Sequence, residues 1–566
     1  MASGSGFALH YHPDGYTFQH KIMGRQAAGL GFIRAVAHAS LPRVWCYSQT
    51  RARAAQLAKQ LADLGASKTD VAWVPNILPT RLSDPGLLYR PDAGIAYDAW
   101  RRNAHGLGHA YSICGVTHTI STHSTSEMIS ALLRAPMEPW DALVCTSTSG
   151  RNAVQNLLEM TAEQLRERVG ASRFTFPQFP VIPLGVHTAD FAFCDETKFA
   201  ARQQLGVSDG EITVMFAGRL IFHGKAHPLP MYAALEKAAQ GFSVVVILAG
   251  IAPSDKIQKA FRDEARVFCP SVRLIMVDGS DVDRYRAAWA AADIFTSLSD
   301  SFQETFGLTP IEAMSAALPS VVSDWDGYRE GVRDEVDGFR IPTLALAPGR
   351  GGYLADRYDL GIDNFDYYSG HTGQFVAVDV ELAAIAYRKL ISDPGLRRRM
   401  GYEAQRRARA EFDWSVVFHR YQELWKELGE RRAQDRSLRR QCRRPDRADP
   451  FTMFAAYPSH VLRPGIAFMR RKGITCDGAL ELRTAKSVNF AAAILPPPHL
   501  IKDILTLIPE AKWMSFEDLV RAQPNLSVLA CERALVWLTK MGVLQFRAES
   551  SAINSNMPNA DDGLRR

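Results

Sequence analysis

The sequence predicts an α/β protein made of two doubly wound domains, followed by a small, mainly helical domain. Short apolar segments alternate with helix-like segments from the start of the chain to about residue 430. Most apolar segments are continuous rather than alternating, as expected for parallel strands that helices cover on both faces. At 566 residues the chain is too long for one hydrophobic core, so the alternation predicts two such units.

Nine apolar segments are predicted as strands, with helices between them, for example at 283–292 and 310–318. The first domain is predicted to span residues 1–205 and the second residues 206–430, because "LGVSDGE" separates a helical segment from the strand "ITVMFAG" there. The predicted strands are 43–49, 111–118, 142–148, 180–186, 212–220, 242–250, 272–279, 293–299 and 319–324.

Two segments interrupt this alternation. Residues 344–372 are rich in glycine, tyrosine and aspartate and are predicted as an irregular insertion, which is either a lid or binding loop or a surface excursion without function. Residues 431–447 contain eight arginines among seventeen residues and are predicted as a linker. Such a run is usually solvated, and the functional alternative is contact with anionic lipid headgroups.

Residues 448–566 are predicted as a separate module that resembles a winged helix. The pattern indicates a helix, a turn at 524–525 and a second helix from Ser527, which is a helix-turn-helix outline. A helix that reads DNA should be basic, but this second helix offers only Arg533 and Lys540. Contact with a protein, or plain packing, is therefore favoured over DNA.

Composition narrows the classes of partner and compartment. The net charge of +6 does not by itself indicate nucleic acid, which leaves acidic small molecules or an anionic membrane surface. The eight cysteines form no C-x-x-C pair, so neither a zinc knuckle nor a disulfide framework is predicted. The amino terminus lacks the pattern of a signal peptide, and the longest apolar run is about half a membrane span. We expect a cytoplasmic protein, with peripheral contact at the inner membrane face as an option.

Two glutamates raise the question of an active site. Glu304 and Glu312 flank a glycine turn and the start of a predicted helix. The structural interpretation is a capping box, with Thr309, Pro310 and Glu312 at the first positions of that helix. The functional interpretation is a phosphate site, because Gly307 lets backbone approach a ligand and the helix tip presents free N–H groups.

Two cations follow the strand that ends at Gly218. Arg219 and Lys225 lie on the loop before the next predicted helix, at the edge where open α/β sheets bind ligands. A guanidinium fork and an ammonium point charge suit a diphosphate. Without further support, a solvated loop is the simpler interpretation.

Two acidic triplets are predicted as structural rather than as metal ligands. "DVD" at 281–283 immediately precedes a helical segment, where N-terminal capping and the helix dipole explain it. "DWD" at 324–326 is predicted as a turn. No metal site is predicted.

These segments together resemble family 4 retaining glycosyltransferases, which have the GT-B fold. "FAGRL" with Lys225, the segment 283–332 and "DGF" at 337–339 resemble the donor domain of that family. Segments 140–154 and 181–191 resemble its amino-terminal domain, and "YSICGVTHTIS" resembles the part that holds its active-site histidine. The resemblance covers about residues 1–428. It implies two Rossmann-like domains that face each other across a cleft, with a terminal helix that crosses back.

The resemblance also implies roles for individual residues. Arg219 and Lys225 would neutralise the departing diphosphate, where negative charge develops. Glu304 would contact the transferred sugar, Glu312 would bind the ribose, and His118 would reach across the cleft. The implied catalytic residues are His118, Arg219, Lys225 and Glu304, and the implied donor-binding residues are Gly24, Arg25, Gly218, Arg219, Lys225, Glu304, Phe306, Gly307, Leu308 and Glu312.

The function implied is metal-independent, retaining transfer of a hexosyl unit from a nucleoside-diphosphate sugar, with no further cofactor. The acceptor would be a carbohydrate or lipid-linked molecule, as in polysaccharide or glycolipid biosynthesis. Two alternatives on the same architecture are a nucleotide-sugar epimerase and a phosphorylase with a lysine-bound pyridoxal cofactor. A third alternative, from a different class, is a non-catalytic sugar-nucleotide sensor that signals through the C-terminal module.

Overall fold

The computed structural model describes residues 6–16, 24–437, 439, 441–522 and 527–548. The chain divides into two compact units, Met1–Arg444 and Pro445–Arg566. The first unit contains two six-stranded parallel sheets with apolar clusters on both faces of each sheet. The second unit is small and mainly helical. The predicted fold class, two doubly wound Rossmann-like domains of GT-B type plus a helical C-terminal region, is confirmed.

The first sheet has the strand order β3-β2-β1-β4-β5-β6, with every neighbouring pair parallel. Its strands are β1 (Ala8–His10), β2 (Arg43–Ser48), β3 (Asp70–Pro75), β4 (Leu87–Tyr89), β5 (Ser112–Val116) and β6 (Ala142–Val144). Its helices are α1 (Gly24–His38), α2 (Arg51–Asp63), α3 (Ile95–Ala104), α4 (His123–Ser130) and α5 (Thr148–Val169).

The second sheet repeats the pattern in the order β12-β11-β10-β7-β8-β9, again parallel throughout. Its strands are β7 (Ile212–Ala217), β8 (Val244–Gly250), β9 (Arg273–Asp278), β10 (Ile294–Ser297), β11 (Ser320–Ser323) and β12 (Gly338–Ile341). Its helices are α6 (Asp195–Leu205), α7 (Pro228–Ala238), α8 (Asp255–Phe268), α9 (Val282–Ala291), α10 (Leu308–Ser315) and α11 (Tyr328–Gly331). As predicted, Asp281 caps α9, because its side chain accepts the N–H of Arg284.

The insertion after β12 is ordered into secondary structure. It holds β13 (Thr343–Ala345), α12 (Gly352–Asp359), α13 (Phe365–Gly373) and β14 (Val376–Val378), so the prediction of an irregular segment is wrong. The Asn364 side chain caps α13, and Arg357 pairs with Asp363 between the two helices at 2.7 Å. These local polar contacts stabilise the two helices. The segment lacks the periodic spacing of apolar residues by which a helix is usually predicted, so the sequence pattern did not indicate them.

Helix α16 (Trp414–Gln434) runs from the second sheet back to the first. It follows α14 (Val380–Ser392), α15 (Pro394–Arg407) and a π-helical turn. Its apolar side chains join the core of the first sheet, where the ring of Trp425 lies 4.6 Å from that of Phe7. A Cβ on Gly31 would lie 2.4 Å from the indole nitrogen of Trp414, so this packing requires glycine in α1. The helix thus ties the two sheets together.

The arginine-rich run is partly bound to the first domain. Arg432 donates to the carbonyl of Gly86 and, at 2.9 Å, to the hydroxyl of Ser112. Arg439 pairs with Glu138 at 2.9 Å. Two arginines of residues 431–447 therefore already bind groups of the first domain. Across the described ranges, no helix combines the length and apolar character needed to cross a membrane.

The C-terminal unit contains a three-stranded antiparallel sheet in the order β16-β15-β17. Helices α20, α21 and α22 pack on it around a common apolar cluster. The predicted turn at 524–525 lies outside the described residues. The elements are α17 (Pro450–Met453), β15 (Ile466–Arg470), α18 (Cys476–Glu481), α19 (Lys486–Asn489), α20 (Pro498–Leu507), β16 (Met514–Ser515), α21 (Phe516–Ala522), α22 (Val528–Lys540) and β17 (Leu544–Ala548).

One predicted strand does not form. Residues 180–186 make only isolated bridges, between Val181 and Cys145 next to the first sheet and between Val186 and Asp413. Two prolines, Pro180 and Pro183, remove the backbone N–H groups that a regular ladder needs. The prediction of a strand there is wrong for that reason.

A buried ion pair supports the start of β6, at the opposite end of the strand from Thr146 and Ser147. Arg102 and Asp141 form a bidentate pair at 2.6 Å, and their side chains are 1% and 0% exposed. The Arg102→Met variant leaves the carboxylate buried without its charge partner, and we expect a loss of about 3–5 kcal/mol in the free energy of unfolding. Urea denaturation of the full chain measures the loss in the free energy of unfolding. Hydrogen exchange of the native protein shows whether the loss affects β5 and β6.

The matched control is Arg43→Met, which removes an exposed pair with Asp70. That control should change the free energy of unfolding by less than about 1 kcal/mol. If Arg102→Met cost no more than the control, the buried pair would not support the strand.

Candidate active site

The candidate site lies at the carboxyl ends of β7 and β10, two adjacent central strands of the second sheet. After β7 the chain turns at Gly218 with a φ of +144°, a conformation that favours glycine. The following loop returns to this turn, because a Cβ built on Gly218 would lie 3.3 Å from Cε of Lys225. The loop after β10 carries Glu304. The two predicted loops therefore meet.

Lys225 and Glu304 form a buried ion pair between these loops. Nζ of Lys225 contacts Oε2 of Glu304, and the side chains are only 15% and 17% exposed. Burial opposes both charges, but the attraction outweighs it, so the pKa of Lys225 is raised and the pKa of Glu304 is lowered. Both groups therefore stay charged at neutral pH.

The tip of α10 follows directly after Glu304. Gly307 is its N-cap residue at a φ of +88°, and a Cβ there would lie 2.0 Å from the ring of Tyr328. Only glycine fits this position. The predicted capping box is wrong, because the helix begins at Leu308, one residue before Thr309, and its N-cap makes no side-chain hydrogen bond. The N–H groups of the first turn are thus available to an anion.

The failure of the capping box leaves Glu312 without its structural role. Within the described residues its carboxylate has neither a hydrogen-bond donor nor an ion-pair partner. Burial raises the pKa of Glu312 to about 7, although the nearby Lys225 opposes the increase. The hydroxyl of Thr309 is shielded from solvent and has no hydrogen-bond partner among the described residues. Shielded polar atoms are normally satisfied, so this hydroxyl, on the same helix as the half-buried Glu312 carboxylate, points to a ligand that supplies the missing contact.

Arg219 lies between the ion pair and the insertion. Burial lowers its pKa, and the carboxylates of Asp366 and Glu304 act against that decrease. Asp366 belongs to α13, which packs on the β10 loop through a contact of 3.2 Å between the hydroxyls of Ser301 and Ser369. The insertion therefore contributes charge and contacts to the site.

The insertion also reaches the first domain. The ring of Tyr358 stacks on that of His123, at the start of α4, with centroids 3.7 Å apart. On its other side Tyr358 stacks on Tyr368 at 4.6 Å. A continuous stack of rings thus bridges the two domains beside the cleft.

His118 is presented by the loop after β5 of the first sheet. Burial, followed by the charge of Arg25, lowers the pKa of His118 to about 4, and its ring is hydrogen-bonded to the carbonyl of Pro91. It is therefore neutral at pH 7. The next residue, Thr119, donates to the carbonyl of Gln303 at 3.4 Å, so the His118 loop faces the Glu304 loop.

Gly24 and Arg25 begin α1 and are both exposed. A Cβ on Gly24 would meet no atom within 4 Å in the described structure, whereas a Cβ on Gly29 would lie 2.0 Å from the carbonyl oxygen of Gly15. Packing therefore requires glycine at Gly29, and the role of Gly24 stays a prediction.

Phe306 and Leu308 flank the N-cap glycine. The side chain of Phe306 is 3% exposed and packs in an apolar cluster between the domains, next to Phe412. Leu308 packs against the same cluster. Their side chains fix the α10 tip, which leaves only their backbone groups for a ligand.

Three residues near the site were not found from the sequence. Tyr328 packs under Gly307, Asp366 comes from the insertion, and Asp326 belongs to the triplet that was predicted as a turn. Asp326 does lie in a turn, as predicted, at a φ of +46°. The signal available in the sequence was the Asp-Gly pair at 326–327, which is typical of turns with positive φ. Tyr328 and Asp366 gave no local signal.

Among the described residues, no group of three or more histidine, cysteine, aspartate or glutamate side chains is arranged to hold a metal ion. The positive charges that the site offers to an anion are those of Arg219 and Lys225, with the tip of α10.

Comparison with known proteins points to the same region. Residues 197–344 match the family model described as glycosyl transferases group 1. The D-inositol 3-phosphate glycosyltransferase of Nocardia farcinica is 30% identical over 203 residues, 35% of this chain and 43% of that protein. Its namesake from Kineococcus radiotolerans is 27% identical over 305 residues, 50% of this chain and 60% of that protein. The chain thus spans less than two thirds of the length of these relatives.

Among solved structures, the Anabaena protein HepE in complex with UDP and glucose is similar, with 17% sequence identity and a TM-score of 0.48. That match covers 75% of this chain and 100% of the other. Sucrose-phosphate synthase from Thermosynechococcus elongatus has 16% identity and a TM-score of 0.46, covering 76% of this chain and 100% of the other. Residues 197–344, the region that matches the model of group 1 glycosyl transferases, hold Arg219, Lys225, Glu304 and Glu312.

Proposed function

We propose that this protein is a metal-independent, retaining glycosyltransferase of family 4 that moves a hexosyl unit from a nucleoside-diphosphate sugar to an acceptor. The observation that carries the proposal is the buried Lys225–Glu304 pair beside the uncapped tip of α10. The match of residues 197–344 to group 1 glycosyl transferases supports it.

The diphosphate would lie between the cations and the helix tip. Arg219 and Lys225 would offset the negative charge that grows on the leaving oxygen, and the first N–H groups of α10 would donate to the same phosphate. Two fixed cations in a partly buried pocket can do the electrostatic work for which other transferases use a divalent metal. This is the reason to propose metal independence.

Retention would follow from front-face transfer. The ion pair holds the pKa of Glu304 below its ordinary value, which makes that carboxylate a poor base for the acceptor hydroxyl. The departing phosphate would then take the acceptor proton as the acceptor attacks from the same side. Glu304 would instead stabilise positive charge on the sugar and accept its hydroxyls, and neutral His118 would hydrogen-bond the sugar from the first domain.

The acceptor would be a carbohydrate or a lipid-linked molecule. Contact with anionic lipid through residues 431–447 also stays a proposal. Arg432 and Arg439 are occupied by the first domain, which leaves exposed arginines such as Arg436 and Arg443 for such contact. DNA is not proposed as a partner.

The first test is nucleoside-diphosphate release from a panel of UDP-, GDP-, ADP- and dTDP-hexoses. We expect wild type to release one diphosphate selectively. Lys225→Met and Glu304→Gln should each lose at least about 100-fold in kcat, because each removes a preorganised charge that acts in the transition state. Circular dichroism should show that both variants are folded.

The control variant is Lys237→Met, which breaks an exposed ion pair with Glu381 in the same domain. It should keep the rate of wild type. Turnover by Lys225→Met or Glu304→Gln at the rate of this control would remove that residue from the site.

The Glu312→Gln variant should change the stability of the protein and its affinity for the nucleotide sugar in opposite directions. Burial raises the pKa of Glu312 from 4.5 to about 7. Between these two pH values the folded protein therefore holds a proton that the unfolded chain releases. This contribution to stability is present below pH 4.5 and is lost as the pH rises through about 7. At pH 8 the unliganded Glu312→Gln variant should therefore be more stable than wild type, by up to about 3 kcal/mol.

Binding should change in the opposite direction. If the carboxylate accepts ribose hydroxyls, the same variant should bind the nucleotide sugar at least about tenfold more weakly at pH 8, measured by calorimetry. Glu335→Gln, at an exposed position, is the control for both measurements. Unchanged affinity in Glu312→Gln would contradict the ribose assignment.

A further inference from the structure

The start of the C-terminal unit contains a run of exposed apolar residues. Between Asp449 and Arg463 the sequence has no aspartate, glutamate, lysine or arginine, and we call residues 450–462 the apolar segment. Every residue from 450 to 461 is exposed, and Phe451 and Tyr457 expose 86% and 81% of their surface. The large apolar side chains exposed in this segment are Phe451, Met453, Phe454, Tyr457 and Val461.

These side chains are not used in the core of the C-terminal unit. The segment contributes only Leu462 to the apolar cluster that contains Ile466 and the helices α20 to α22. The rings of Phe454 and Tyr457 lie 5.0 Å apart, so the exposed groups adjoin one another. An apolar surface that a domain leaves outside its core marks a place of interaction.

The fold of the unit holds the apolar segment at both ends. Asp449 caps the short helix α17, because its side chain accepts the N–H of Thr452 at 2.9 Å. At the other end, the ring of His460 lies 5.8 Å from that of Phe546 on β17. The unit therefore presents the apolar side chains from a folded loop.

The shape of the loop does not suit the grooves and sheet edges by which proteins recognise peptides. An amphipathic helix that docks in a groove needs apolar anchors over two or more turns, whereas α17 ends after four residues. Strand addition needs a row of backbone N–H groups, which Pro450, Pro458 and Pro464 interrupt. A lipid bilayer makes neither demand, because the burial of apolar groups is not directional.

The charges beside the apolar segment favour a bilayer with anionic lipids. Arg447 precedes the segment and Arg463 follows it, and both side chains are exposed. Aromatic and aliphatic side chains bury themselves at the boundary between headgroups and acyl chains, while nearby arginines are attracted to anionic headgroups. An uncharged loop between two cations has both of these features.

We propose that the apolar segment inserts into the headgroup region of an anionic lipid bilayer, with Arg447 and Arg463 at the level of the lipid phosphates. This proposal goes beyond the contact proposed for residues 431–447, because it assigns the insertion of apolar side chains to a different segment. It does not depend on glycosyl transfer, since lipid binding is measured without a nucleotide sugar.

The experiment is flotation of the full chain with vesicles of dioleoylphosphatidylcholine, with and without about one third dioleoylphosphatidylglycerol, in about 0.1 M salt. We expect wild type to bind the anionic vesicles, and to bind the neutral vesicles at least about tenfold more weakly. The double variant Phe451→Ser/Tyr457→Ser keeps every charge and leaves the core intact. It should bind the anionic vesicles at least about tenfold more weakly than wild type, because two apolar groups no longer insert.

The matched control is Phe490→Ser/Ile494→Ser, at side chains that are 85% and 78% exposed in the same unit but lie outside the apolar segment. This control should bind the anionic vesicles as wild type does. The proposal is overturned if wild type does not bind them, as expected of a segment that docks on a protein. It is also overturned if the Phe451→Ser/Tyr457→Ser variant binds as well as the control, or if the control loses as much binding as that variant.

Discussion

The site depends on one interaction, the buried ion pair between Lys225 and Glu304. It joins the loop after β7 to the loop after β10, so it fixes the two ligand-binding edges of the second sheet relative to each other. Charges buried to this degree are costly unless they are well paired, and a pair of this kind is weak evidence for stability. Its value is positional, because it holds a cation and an anion in their charged forms beside the tip of α10.

Around the pair, several groups are left short of partners. Among the described residues, Thr309 and Asp326 each carry a polar atom that is shielded from solvent and has no hydrogen-bond partner. Burial raises the pKa values of the Glu312 and Asp326 carboxyls to about 7. Clusters of perturbed, unsatisfied groups are typical of functional sites rather than of cores. The two domains close on this region through hydrogen bonds at Thr119 and Ser147 and through the His123–Tyr358 stack. Donor and acceptor chemistry would therefore share one partly dehydrated space.

Local pattern was sufficient for most of the long strands, and it drew attention to Arg219 and Lys225 after β7, whose roles stay predictions. It predicted the central strands such as β7 and β8, because continuous apolar runs identify buried parallel strands. It missed three-residue strands such as Ala8–His10 and Leu87–Tyr89, which are too short to show a period. It also assigned a capping box that the structure lacks, since the N-cap depends on contact between Gly307 and Tyr328, far apart in sequence. The contact of Asp326 with Ser147 joins the two domains, so no local pattern could predict it.

The central claim is that Lys225, Arg219 and the tip of α10 converge on a single diphosphate. A crystal structure of the full chain with UDP tests it most directly. We expect one phosphate group within hydrogen-bond distance of both cations and of an N–H group in the first turn of α10, with the ribose against Glu312. A diphosphate bound elsewhere, or one held by a metal ion away from Lys225, would contradict it.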